Sequence, residues 1–347
     1  MKKTLKYLSL SVLLIFSFSI LVGCNKKEKN KEPLSKSELL MGTVISVTLY
    51  DSDDESILND IFNKIKELEA TLSINENGTL VDKINSSAGI EPVKVDDDTY
   101  SVIKKGVEYS NISNGLFDIT IGPLVKLWSI GLPEQKLPTQ EEIASKLPLI
   151  DYNDLVLDDS EKTVYLKRPG MMIDLGGIAK GFTADIISEI LTEKGVESAI
   201  INLGGNIFAH GSKNKTDFWK IGIQSPLSER GGIIGSIQVK NKSVVTSGTY
   251  ERYFEENGVK YHHILNPKTG YPYENNIAGI TIVSDKSVDG DALSTSVFAM
   301  GVEDGLKFVN SRDGIDAIFV TNDNKIYLSN GIKDNFTLSN SDFTIQE

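Results

Sequence analysis

Helix-like and strand-like stretches follow one another along this chain without a steady alternation, and that irregularity limits the folds open to it. Residues 55–72 place Ile57, Ile61, Ile65, Leu68 and Leu72 at three- and four-residue steps, the pattern of an amphipathic helix. The stretch 96–115 predicts another helix ending near Gly115. "PTQEEIASKL" offers Thr139 and Glu142 as a capping box for a short helix. "LLMGTVISVTLY" (39–50) reads as a strand, and "DLVLDD" and "TVYLKRPG" as paired short strands. "MMID" predicts a short strand before a Gly-rich turn and a helix, and "SAIINLGGNIFAHG" a strand running into a Gly pair. From 217 to 285, β-rich segments separated by Gly, Asn and Pro dominate. Among them, "YERYFEENGVKYHHIL" predicts a hairpin turning at Asn257 and Gly258. Helix signals return at 290–311, and "IDAIFVTNDNKIYLSNG" predicts a closing hairpin. A doubly wound parallel sheet would need regular strand–helix–strand units. The expectation is therefore α+β: one compact domain with mixed or antiparallel sheets and flanking helices.

The N-terminus stands outside that pattern. "MKKTLKYLSLSVLLIFSFSILVGC" runs from basic residues through an apolar core to small residues, as a secretory signal does. A transmembrane anchor is the rival, because the apolar run is near spanning length. "LVGC" (21–24) resembles a bacterial lipobox, which implies cleavage before Cys24 and lipid attachment to its sulfur. The expected organisation is a lipoprotein signal peptide over 1–23, a polar lipidated tether over 24–37 and the folded domain over 38–347. It places the protein on the extracytoplasmic face of the cell membrane. Cys24 is the single cysteine of the 347 residues, so neither a disulfide framework nor a cysteine metal site is available. The formal net charge of −12 argues against nucleic acid as a partner. A phosphorylated ligand would have to be held by backbone N–H groups and a cation.

Several short stretches could carry chemistry, and each has a plainer structural reading. "DLGGIAKG" (174–181) delivers Asp174 to a turn at Gly176 and Gly177 before a helix that carries Lys180 in its first turn. This is a phosphate-binding arrangement or a tight structural turn. "NLGGN" (202–206) repeats the theme as a ligand loop or a β-turn. In "YHHILNPKTGYP" the adjacent His262 and His263 should face opposite sides of a strand and meet different fates. Phe117 and Asp118 could hold a planar heterocycle, or serve as core and cap. In "SVDGDALSTS" (287–296), Asp291 and Thr295 lie four residues apart on one helix face. They could offer oxygen to a hard cation such as Mg²⁺. Equally, the stretch could be an ordinary helix start, with Asp289 as its cap.

Taken together these stretches resemble the FAD:protein FMN transferases, the ApbE family. The matching signatures, in order, are "MGTVISVTLY", "LSINENGTLVDKIN", "GLFDITIGPLVKLW", "IDLGGIAKGFTAD", "INLGGNIFAHG", "HHILNPKTGYP" and "DGDALSTSVFAMG", spanning about 41–301. The resemblance implies Mg²⁺-dependent cleavage of FAD at its pyrophosphate. The FMN half is transferred to a Thr or Ser hydroxyl of a target flavoprotein, and AMP leaves. It implies metal ligation by Gly177 (through its carbonyl), Asp291 and Thr295. It implies an FAD site lined by Met41, Asn75, Leu116, Phe117, Asp118, Asp174, Lys180 and Leu265. His263 would be the proton acceptor, with an ordinary imidazole pKa of about 6.5. Asn75 stands where many relatives have Tyr, and the register at Leu265 could slip to Ile264. The targets implied are membrane redox subunits or exported flavoproteins carrying a D-x-x-[S/T]-G-A-[S/T] motif. Two other classes remain open to the same residues: a Mg²⁺-dependent FAD pyrophosphatase releasing FMN and AMP, and a flavin- or solute-binding lipoprotein without chemistry.

Overall fold

The computed structural model describes residues 32–214, 216–227 and 232–346. The expected signal peptide and the lipidated Cys24 lie outside the described residues. The frame is a nine-stranded sheet. In spatial order its strands are Leu34–Leu40, Thr43–Leu49, Ser198–Leu203, Asn206–Gly211, Lys242–Gly248, Ile277–Ser284, Asp316–Thr321, Lys325–Leu328 and Thr344–Ile345. The last pair is parallel. The others are antiparallel. Helices and two smaller three-stranded sheets pack around this frame, so the fold is α+β.

The Ile277–Ser284 strand lies at the heart of the molecule, and all eight of its residues are buried. Ile280 and Ile282 pack with Val288, Ala292 and Val297 of the helix Ser287–Asn310. On the other face Val283 packs with Trp219, Ile221 and Ile237 of a three-stranded sheet. The neighbouring strand splits in the same way. Ala317 and Phe319 join the first cluster, Ile318 and Val320 the second, as the two-residue period of a strand requires. Each fully buried Ile or Phe of this kind contributes about 1.5–3 kcal/mol.

Much of the local reading holds. The first helix spans Glu55–Leu72 and buries Ile57, Ile61, Ile65, Leu68 and Leu72. Thr139 and Glu142 form the capping box. Tyr253–Glu256 and Val259–His262 form a hairpin, with Asn257 and Gly258 at positive φ.

Four readings are corrected. The segment 39–50 is two strands, folded back at Met41 (φ 50°) and Gly42 (φ 71°). The first strand begins at Leu34, inside the stretch expected to be tether. "MMID" makes only an isolated parallel bridge, Met172 to Ile121, so the Gly-rich turn follows a loop and not a strand. Finally, Asp289 does not cap the helix Ser287–Asn310. That helix begins at Ser287, so Asp289 already lies within its first turn, and its side chain engages the Tyr109 hydroxyl. The cap comes from another helix. Asp185 of Ala179–Glu193 accepts from Ser287 N–H (2.8 Å) and Val288 N–H (2.9 Å), one bond to each carboxylate oxygen. No local sequence pattern could reveal a cap donated from 102 residues away.

Burial pushes the Asp185 carboxyl up from its ordinary 3.8 to about 6, against the two backbone hydrogen bonds that favour the ionised form. The folded state therefore holds this proton more tightly than the unfolded chain does. The resulting stability is fully present below about pH 4 and is lost as pH rises through about 6. Urea midpoints measured between pH 4 and 7 should show this downward component for the wild type. It should be absent in Asp185→Asn, which cannot titrate.

Candidate active site

The helices Ala179–Glu193 and Ser287–Asn310 cross at Gly181. A Cβ on that residue would lie 2.3 Å from the Ser287 carbonyl oxygen and 2.7 Å from the Asp291 Cβ. Only glycine permits so close an approach. Gly181 lies in the first turn of its helix, where N–H groups have no partner within the helix. Its N–H donates to Asp291 Oδ2 at 2.9 Å. Asp291 is thereby held 4% exposed, with Oδ1 only loosely paired to Lys180 Nζ at 3.8 Å. Lys180 also donates to the Gly176 carbonyl.

One turn on, Thr295 departs from the habit of its neighbours. Ser294 and Ser296 return their hydroxyls to main-chain carbonyls of their own helix. The Thr295 hydroxyl has no hydrogen-bond partner among the described residues. Its Oγ1 lies 3.7 Å from where a Gly177 Cβ would sit. One carboxylate, one uncommitted hydroxyl and a glycine backbone therefore line the same cleft. This oxygen-only set fits a hard divalent cation that keeps water and substrate oxygens in its shell. Among the described residues no cluster of three His, Cys, Asp or Glu side chains could hold a metal.

These residues line a cleft of about 330 Å³, large enough for most of a small ligand. Of the residues singled out from the sequence, Leu116, Phe117, Asp118, Asp174, Gly177, Lys180, His263, Leu265, Asp291 and Thr295 line it. Ile264, the other possible register, lines it too. Met41 and Asn75 do not. Met41 sits at the hairpin turn, where its N–H donates to Glu69 and its side chain packs on the core. Exposed Asn75 accepts from Lys126 Nζ at 2.9 Å.

The cleft carboxylates differ in availability. Asp118 is committed to the loop: Oδ1 accepts from the N–H and hydroxyl of Thr120, and Oδ2 from Tyr152 N–H. Asp174 Oδ1 takes the Gly176 N–H at 2.6 Å. That donor is therefore not free for a phosphate, as the structural-turn reading of this stretch has it. Burial raises the pKa of both groups.

The two histidines diverge as the strand alternation requires. His262 is buried and bonds the Tyr273 carbonyl. His263 lines the cleft. Its ring Nδ1 lies 3.2 Å from the Arg252 carbonyl oxygen, so Nδ1 carries the hydrogen and Nε2 keeps a lone pair. Burial pushes this imidazole down to about 3, and the Arg252 guanidinium adds to the fall. The ordinary value expected from sequence is therefore corrected: in the free protein His263 is neutral and holds a proton weakly.

Gly204 and Asn206 of "NLGGN" line the cleft, whereas sequence reasoning missed Arg252 and Ser247, which line it too. For Arg252 the signal was present. A hairpin turning at Asn257 and Gly258 pairs Tyr253 with His262, and the next pair outward is Arg252 with His263. Trp128 seats this hairpin by packing on Tyr261 (5.5 Å between ring centroids) and Phe254 (6.3 Å).

The family model described as the ApbE family matches residues 41–319. The chain belongs to the ApbE family. It is 41% identical to the FAD:protein FMN transferase of Klebsiella pneumoniae, across 85% of this chain and 91% of that protein. It is 33% identical to the Treponema pallidum protein of the same name, across the full length of both. Among solved structures, the ApbE protein of Thermotoga maritima superposes with a TM-score of 0.80 at 33% identity, covering 87% of this chain and 98% of that one. The flavin transferase ApbE of Vibrio cholerae gives 0.76 at 25% identity, covering 88% and 99%.

The helix crossing at the centre of this ApbE-family site yields a direct test. Gly181→Ala should force the two helices apart, at a cost of about 1–3 kcal/mol. Urea denaturation should show the loss. A midpoint equal to wild type would mean that the contact is easily relieved.

Proposed function

We propose that this ApbE-family protein transfers the FMN moiety of FAD to a threonine or serine hydroxyl of a target flavoprotein, forming a phosphoester and releasing AMP. The observation that carries the reading is the convergence of Asp291, Thr295 and Gly177 beside Lys180, in a cleft that also holds His263 and the Phe117 ring. The names of the relatives support it, and they do not favour the alternative in which water accepts the FMN.

Mg²⁺ is the cation proposed for the oxygen cluster. When bound it would supply Lewis-acid polarisation of a phosphoryl oxygen. The chain's own residues do the rest. Phe117 and Leu116 offer apolar surface to the flavin. Lys180 and Arg252 bring positive charge to the scissile pyrophosphate, an anion that an acidic protein would otherwise repel. His263 Nε2 accepts the proton of the attacking hydroxyl.

Incubation with FAD, Mg²⁺ and a candidate target flavoprotein, followed by intact mass, tests the reading. The expected result is a gain equal to one FMN phosphoester. AMP release with no gain on any target would instead make the protein a hydrolase. Asp291→Ala should lower the transfer rate by about 100-fold or more, and His263→Ala by about 100-fold. Wild-type transfer by His263→Ala would remove the histidine from the proton path.

The membrane location is also a proposal. It rests on "LVGC" at 21–24 and on Cys24 being the single cysteine. Residues 1–23 would be cleaved and a lipid on Cys24 would anchor the domain on the extracytoplasmic face, where exported flavoproteins or membrane redox subunits are the targets. The polar run up to the first strand at Leu34 would be the tether. Cys24→Ala should move the protein from the membrane to the soluble fraction.

A further inference from the structure

Arg252 and His263 close the open end of the same hairpin. The Arg252 carbonyl accepts two bonds from His263, one from the backbone N–H (3.1 Å) and one from the ring Nδ1–H (3.2 Å). The Arg252 side chain then runs along the cleft wall. Its Cδ lies 3.3 Å from where a Gly131 Cβ would sit, and its Nη2 lies 3.8 Å from the corresponding point at Gly42. Among the described residues the guanidinium makes no ion pair. Lys180, the other cation of the cleft, already faces Asp291.

Resting on the transferase reading, we propose that Arg252 gates the proton acceptor: it holds His263 with Nε2 open and keeps that nitrogen unprotonated until the phosphates of FAD pair with its guanidinium. The cations that act on the imidazole are Arg252 and Lys180, and both disfavour its protonation; His262, itself held neutral by burial, adds to this only when protonated. In the free cleft Asp174 acts on both cations and Asp291 faces Lys180, yet the imidazole is still held unprotonated. A bound pyrophosphate brings negative charge to Arg252 and Lys180 and reverses the field at His263. One opposite charge within about 4–6 Å moves such a group by about 1–3 pH units. Desolvation by the flavin acts the other way, so a net rise is the discriminating sign.

The transfer step balances. The acceptor oxygen forms a bond to the FMN phosphorus. The P–O bond to AMP breaks and its electron pair stays with AMP. The hydroxyl proton passes to His263 Nε2. AMP departure removes negative charge from Arg252, and His263 returns its proton to solvent. Without FAD the base is weak, so the site activates neither water nor a docked hydroxyl.

Histidine-labelled full-length protein, titrated by NMR in EDTA with and without FAD, tests this. His263→Gln assigns the resonance. In the free wild type His263 should stay neutral down to about pH 4, and FAD should raise its midpoint by about one unit or more. In Arg252→Gln the free midpoint should already be raised and FAD should move it less. Arg252→Lys, which keeps the charge, should retain the FAD-induced rise. An unmoved midpoint in FAD-saturated wild type, or equal midpoints in wild type and Arg252→Gln, would overturn the proposal. If Arg252→Gln does not fold, the wild-type titration decides alone. EDTA withholds the proposed Mg²⁺ and no target is present, so the titration reads FAD binding alone, and absence of FMN transfer to any target would defeat the transferase reading while leaving this measurement intact.

Discussion

The site depends on one close contact between two helices. At Gly181 the helix Ala179–Glu193 meets Ser287–Asn310 with no room for a side chain. Two hydrogen bonds from the second helix to Asp185, and one from Gly181 to Asp291, lock the crossing. The lock works because helix starts carry unpaired N–H groups and positive charge. Each helix uses a carboxylate of the other to satisfy its own start. The same arrangement leaves one oxygen of Asp291 for the cleft and aims Thr295 at Gly177.

The remainder of the fold supplies two walls. The sheet and its buried central strand hold the Ser287–Asn310 helix rigidly from below. Glu251, Arg252 and His263, at the open end of the hairpin Tyr253–His262, form the other wall, and that hairpin joins none of the other sheets. A two-stranded hairpin alone is marginally stable. Trp128, fully buried and bonded to the Gly270 carbonyl, anchors it through the aromatic cluster. Arg252 and His263 therefore take their positions from the packing of Trp128, which itself lines the cleft.

Charge is distributed in the cleft in a way the overall composition conceals. The chain is strongly acidic, yet two cationic side chains line this cleft. Of its carboxylates, Asp118 and Asp174 are tied to loop N–H groups. Asp291 keeps an oxygen free of any close partner. Under the proposed function such a site would hold a phosphate anion and a divalent cation together.

Periodicity and turn chemistry were enough to read most of the local elements. The helix Glu55–Leu72, the Thr139 capping box and the Asn257–Gly258 hairpin are set by interactions between residues close in sequence. Ten of the residues named from the seven ordered signatures line one cleft. Met41 and Asn75 fell outside that lining because a turn and a lysine engage them. What the sequence by itself determined was local geometry and the inventory of chemical groups. Only the tertiary structure decided which carboxylate caps the second helix, which one faces the cleft, and how weak a base His263 is. Those outcomes depend on burial and on partners as far as 110 residues away, and neither leaves a pattern in a local window.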